Sequence, residues 1–324
     1  MAFLNAPHKT LFILILTAGV LLFSAACGSG KKDGGGGGSK SKHKKDAGTP
    51  FEGGKFEASG VVAVPGTDGI LFIDDSKPDR VFWTRLDQSG KQAGAITPVP
   101  LGVEVEDPEG ITSDGTFYYV VGSQSRPKSE HNALVRFAFD PKAMTARAEA
   151  VKNFRALLIA NVPQLKGDGE QKGSDGGLNI EGIAWDPARQ QLLLGLRSPI
   201  INGQAMLVPV KPPAAGQAFT AESLSFVEPR AISIPLDDLG VRDIQYDPAR
   251  NSFLIISGAP ETISKTDFKL WEWDGNPSSP PSERMFLDED VFDKPEGISP
   301  IKAGGRDMIF IVGDGSIYYT LDYP

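Results

Sequence analysis

The chain has 324 residues, 40% of them apolar and 23% charged, and its 37 glycines and 25 prolines favour short strands and turns over long helices. The formal charge of −8 is unevenly spread: the first 50 residues hold seven lysines against two aspartates, so the remaining 274 carry −13. An acidic body of that size excludes nucleic acid as a partner, which needs a basic face to neutralise phosphates, and a single cysteine excludes an intramolecular disulfide.

At the N-terminus one basic residue, Lys9, precedes a 13-residue apolar run from Leu11 to Phe23, followed by Ser24, Ala25, Ala26 and Cys27. The run is too short to cross a bilayer comfortably and reads as a secretion signal over residues 1–26. Ser24 to Cys27 resembles a bacterial lipobox, which implies lipidation of the Cys27 thiol and a membrane partner through that lipid. A plain cleaved signal is the alternative. Gly28 and Ser29 lack the aspartate of an inner-membrane retention signal, so the resemblance implies the outer membrane in a double-membraned cell. Residues 27–50 carry five consecutive glycines at 34–38 and the run SKSKHKKD at 39–46, which bury too little apolar surface to fold and read as a tether.

The folded body is expected over residues 51–324. Its first unit reads as four strands: Gly60 to Gly66, Ile70 to Asp75, Arg80 to Asp87 and Ile96 to Gly102. The second opens at Glu109 and continues through Phe117 to Ser123 and Ala133 to Asp140. Apolar residues at Val151, Phe154, Leu157 and Leu158 then suit a helix near 147–159. The third unit, NIEGIAWDPARQQLLLGLRSP from Asn179, is a hairpin turned by Asp-Pro, and the fourth repeats its DPAR 61 residues later, at Asp247 to Arg250. The fifth opens at Glu296 and ends one strand short. Repeats of about 50–70 residues with four strands each predict an all-β propeller, five blades favoured and six the alternative. A propeller closes its ring to leave no bare sheet edge, and a segment near Lys55 to Ala58 is the expected closing strand.

The repeats place Glu109, Glu181 and Glu296 at equivalent inner-strand starts, with Arg242 and Asp243 at the fourth, and Arg126 and Arg197 at the ends of the paired strands. These seven are the candidates for one channel mouth. Two readings stay open. The arginines form bidentate bridges that lock neighbouring blades, or Glu109, Glu181 and Glu296 ligate a hard cation such as Ca²⁺ while the arginines receive an anion. His131 is the body's one histidine, it sits in a polar run, and no G-x-S-x-G elbow occurs, which disfavours a Ser-His-Asp hydrolase. The glycine-rich run from Gly167 to Gly177 reads as a mobile surface loop, and Trp83, Trp185, Trp271 and Trp273 as blade packing.

Four ordered segments, DPEGITSDGTFYYVVGSQSR, NIEGIAWDPARQQLLLGLRSP, GVRDIQYDPARNSFLIISG and KPEGI, resemble the bacterial family called domain of unknown function 3616. That resemblance implies a propeller-like domain and supplies no activity. The Glu-Gly-Ile strands are distantly similar to the esterase-like phytases and other calcium-dependent propellers. The expectation is a lipid-anchored cell-envelope propeller that binds an undetermined ligand or envelope protein. The alternative is a calcium-dependent hydrolase of phosphate esters or lactones, and whether the chain is an enzyme stays open.

Overall fold

The computed structural model describes residues 48–260, 268–288 and 291–323, which fall within one compact unit, Lys45–Pro324. The signal segment, Cys27 and the tether as far as residue 47 lie outside the described residues. Among the described residues no helix is long and apolar enough to cross a membrane.

Five four-stranded antiparallel sheets follow one another as the blades of a propeller. A two-residue strand, β1 (Thr49–Pro50), comes first in the chain and belongs to the last blade. Blade 1 is β2–β5 (Ala58–Ala63, Gly69–Asp74, Arg80–Arg85, Thr97–Pro100), and blade 2 is β6–β9 (Pro108–Ser113, Tyr118–Gly122, Ala133–Asp140, Thr145–Lys152). Blade 3 is β10–β13 (Asn179–Asp186, Gln191–Ile201, Gln204–Val210, Ile232–Ile234), and blade 4 is β14–β17 (Gly240–Asp247, Ser252–Gly258, Phe268–Trp273, Ser282–Leu287). Blade 5 joins β18–β20 (Pro295–Ala303, Arg306–Gly313, Ile317–Asp322) to β1.

The middle strands are apolar on both faces because both are covered by neighbouring blades. β15, SFLIISG, is buried throughout. Each blade–blade seam has its own apolar cluster. Between blades 1 and 2, Ile73 and Val81 meet Val120 and Val135; between blades 4 and 5, Leu254 and Leu270 meet Ile309 and Ile311. The DPAR turns are fixed from within. Asp186 Oδ1 accepts the N–H groups of Ala188 and Arg189 at 3.0 and 3.1 Å, while Oδ2 takes Arg189 Nη1 at 3.1 Å. Asp247 repeats this with Ala249 N–H at 2.9 Å and Arg250 Nη1 at 3.3 Å. In both turns the next residue, Gln190 or Asn251, takes a left-handed φ of 53°.

The ring closes at β1, not at Lys55 to Ala58. Thr49 pairs with Tyr318 and Pro50 with Ile317, and the buried Phe51 ring then stacks 4.9 Å from Phe72 of blade 1. Residues 55–58 are unavailable for closure because the chain turns at Gly53 (φ 98°) and Ala58 already pairs with Asp74 inside blade 1. The inserted helix, α1 (Phe154–Asn161), is shorter than the apolar spacing predicts. Residues 147–152 complete β9 instead, where TARAEAVK alternates along its whole pairing with β8. The glycine-rich run is likewise structured: its turns wrap Arg155, whose buried guanidinium donates to the carbonyls of Gly169 at 2.8 Å and Gln171 at 2.5 Å. Arg155 also donates to Gln124 O in blade 2. A buried cation without a carboxylate needs several carbonyls to replace its water, and the loop supplies them.

Candidate functional site

The inner strands β2, β6, β10, β14 and β18 start at the same end of the channel, and each carries a bulge in its pairing with the next strand of its blade. The register slips between Ala58 and Gly60, Pro108 and Gly110, Ile180 and Gly182, Val241 and Asp243, and Pro295 and Gly297. The skipped residues are Ser59, Glu109, Glu181, Arg242 and Glu296. A bulge leaves one residue unpaired and re-aims its side chain, and all five line one cavity of about 350 Å³. The glycine that follows is required by close approach: a Cβ at Gly182 would lie 2.9 Å from the Ile244 nitrogen, and one at Gly297 2.8 Å from the Gly60 Cα. Blade 4 has Asp243 at this place. It is fully buried beneath the mouth, with Oδ2 accepting the Ile298 N–H at 2.7 Å and Oδ1 its neighbour Ile244 N–H at 2.8 Å. Burial holds its carboxyl well above the usual range, against the pull of those backbone donors. Below it Gln245 spans the channel, its Nε2 donating to Ile111 O at 2.5 Å and Ile183 O at 3.2 Å.

The two walls of the mouth differ. On blades 3, 4 and 5 the charges are paired. Glu181 Oε2 meets Arg242 Nη1 at 2.6 Å, Glu181 Oε1 meets Arg197 Nη1 at 2.8 Å, and Arg242 also bridges to Glu296. Asp314, at the rim, is held below the usual range by its bond with Lys294 Nζ at 2.7 Å. On the blade 1 and 2 side the charged residues among the described lining are all acids. Carboxylate oxygens of Glu57, Asp74 and Asp75 lie within 4.8 Å of one another. Asp75 is pushed up to about 7, first by burial and then by Glu57. Glu109 is raised well above the usual range by burial, then by the charges of Glu181 and Asp107. Asp107, with a left-handed φ of 52° directly before Pro108, holds its Oδ2 on Ser123 Oγ at 2.6 Å. A non-glycine residue in that conformation before proline is strained, and such strain collects at functional sites. Among the described residues, seven carboxylates and two guanidiniums line the cavity.

Of the seven predicted residues, Glu109, Glu181, Arg197, Arg242 and Glu296 line this cavity. Arg126 does not. It follows the left-handed Gln124 (φ 59°), turns outward and pairs with Glu106. Asp243 lies one layer down. Sequence reasoning missed Ser59, whose blade lacks the Glu-Gly-Ile signature, and Glu57, Asp75, Asp107 and Asp314, which stand in loops outside the repeated position. The Asp74-Asp75 doublet closing β3 and the aspartate before Pro108 were the available signals.

No curated protein matches the sequence. Among solved structures, a structural-genomics protein of unknown function from Bacteroides thetaiotaomicron is 13% identical with a TM-score of 0.42, over 86% of this chain and 72% of that one. Kuenenia stuttgartiensis hydrazine synthase is 14% identical with a TM-score of 0.39, over 78% of this chain and 61% of that one, so the match spans under two thirds of its length. Residues 170–312, covering blades 3 and 4 and most of blade 5, match the family described as "Protein of unknown function (DUF3616)", the family that the Glu-Gly-Ile and DPAR segments resemble.

Proposed function

We propose that this protein is a lipid-anchored ligand-binding propeller of the cell envelope, whose acidic mouth takes a hard divalent cation, Ca²⁺ for preference, on the blade 1 and 2 wall. The anchoring rests on Cys27 following small residues at the end of a short apolar run. The cation rests on one observation: the arginines balance Glu181 and Glu296, while Glu57, Asp75, Asp107 and Glu109 crowd together with raised Asp75 and Glu109 carboxyls. A divalent ion relieves that repulsion, and oxygen-only donors suit calcium over softer metals. The candidate ligands are Glu57, Asp74 and Asp75, whose carboxylate oxygens lie within 4.8 Å of one another, with Asp107 and Glu109 adding negative charge around them, while Glu181 and Glu296 act in the ion-pair lock.

Thermal melting with and without calcium tests this. A ligand present at about a hundred times its Kd adds about 2.7 kcal/mol to the native state, or about 5–10 °C in a domain of this size. Glu57→Gln and Asp75→Asn should abolish the shift, and Glu181→Gln should keep it. No shift in wild type, or an equal shift in Glu57→Gln and Asp75→Asn, refutes the cation site. The second reading, calcium-dependent hydrolysis of a phosphate ester or lactone, is favoured by Arg197 and Arg242, whose guanidiniums line the same cavity and suit an anionic substrate group beside the cation. Calcium-dependent turnover of p-nitrophenyl phosphate or dihydrocoumarin that Asp75→Asn removes would establish it.

A further inference from the structure

The channel has a second opening at the C-terminal ends of the inner strands, separated from the acidic mouth by Asp243 and Gln245. Equivalent positions there are Ala63, Ser113, Trp185, Tyr246 and Pro300, one from each blade and all half-buried. Blades 3 and 4 carry aromatic rings, and the other three carry small or compact side chains. That inequality of volume leaves a cavity of about 330 Å³ on the small side of the ring, rimmed by Pro65, Pro187 and Pro248.

The polar groups on its floor are already engaged. The Gln245 carboxamide donates to Ile111 O and Ile183 O and accepts Thr112 Oγ1–H at 3.1 Å. Thr112 Oγ1 in turn accepts the Trp185 N–H at 3.2 Å. Ser299 Oγ accepts the Ala63 N–H at 3.0 Å and donates to Pro300 O at 3.1 Å. Asp114, the one acidic or basic side chain among the described lining residues, is committed to the N–H groups of Thr116 and Phe117, both at 2.7 Å, and to the Tyr119 hydroxyl at 2.8 Å. An ion entering here would lose its water and find no partner, so charge complementarity selects an uncharged ligand. Apolar walls with one indole and one phenol select a flat ring system.

We propose that this second opening is a binding site for an uncharged, ring-bearing small molecule resting against Trp185 and Tyr246, independent of the acidic mouth. The probe is N-phenyl-1-naphthylamine, a neutral dye that brightens when it leaves water, titrated in EDTA so that a cation at the other mouth has no part in the result. The expected result is saturable one-to-one binding with a Kd of about 10 μM or tighter. Ala63→Trp and Ser113→Phe, which fill the cavity from its small side, should each weaken binding at least about tenfold, the effect of losing about 1.4 kcal/mol. Trp185→Ala, which removes one wall of the cavity, should weaken binding by at least as much. The proposal is overturned by absence of saturation up to the dye's solubility, by filled variants that bind like wild type, or by a Trp185→Ala variant that binds like wild type.

Discussion

Arg242→Gln tests how the two arginines hold the mouth together. Arg242 joins Glu181 of blade 3 to Glu296 of blade 5, and the side chains are 7%, 4% and 18% exposed. Removing one partner of a buried pair costs about 3–5 kcal/mol, because the charge left behind stays out of water. Here Glu181 keeps Arg197 at 2.8 Å, so part of that penalty is met, and the expected loss is about 3 kcal/mol. At about 2–4 °C per kcal/mol for a domain of this size, the melting temperature should fall by about 6–12 °C. The assay is urea unfolding and thermal melting of wild type, Arg242→Gln, Glu181→Gln and the double variant. Residues sharing an ion pair couple by about 0.5–3 kcal/mol, so the double variant should lose less than the two single losses added. Strict additivity, or a melting point for Arg242→Gln within about 2 °C of wild type, would refute the lock.

Three further outcomes are expected. In metal-free protein Asp75 sits at about 7 when folded and near 4 when unfolded, so between those values the native state binds more protons. Stability then falls as pH rises through that window and levels off above it, and Asp75→Asn should flatten the slope and raise the melting point on the alkaline side; a wild-type melting point that climbs across the window contradicts this. Deleting residues 1–48 should leave the association state and melting point of wild type, while deleting through Phe51 removes the closing pair and an aromatic anchor, bares the β20 edge and should cause aggregation; sedimentation that finds both truncations alike argues against closure at β1. Cys27→Ala should abolish metabolic labelling by a fatty-acid analogue without changing the fold of the body, and labelling equal to wild type removes the lipoprotein proposal.

The blade plan was legible because Glu-Gly-Ile and DPAR recur at a spacing that four strands can fill, and because runs such as FLIIS leave no face for solvent. The location of the closing strand was not. Thr49–Pro50 is two residues long, carries no apolar pattern, and is defined by its partner Tyr318. The helix was found by its apolar spacing at Phe154 and Leu158, but its start was misjudged since Val151 serves β9 on the same spacing. At the mouth, the repeat located the bulged residues of blades 2 to 5. It could not say that Arg242 would bridge Glu181 to Glu296, because which carboxylates an arginine reaches depends on which blades adjoin. Glu57, Asp75 and Asp107 reach the cavity from loops, where side-chain direction follows turn geometry rather than a two-residue period.

The bulge at the head of every inner strand separates two properties that a regular ladder would merge. A residue in register must suit its cross-strand partner, so replacing it disturbs the blade. The bulged residue has no such partner, and five superposable backbones carry serine, glutamate, glutamate, arginine and glutamate there. The residue beside it, glycine in four blades, bears the steric demand of the neighbouring strand. Replacing a bulged residue therefore leaves the ladder of its own blade intact, and its cost is set by the partners it meets across the mouth, as for Arg242 with Glu181 and Glu296. What the mouth attracts and how the strands pair are then governed by different residues.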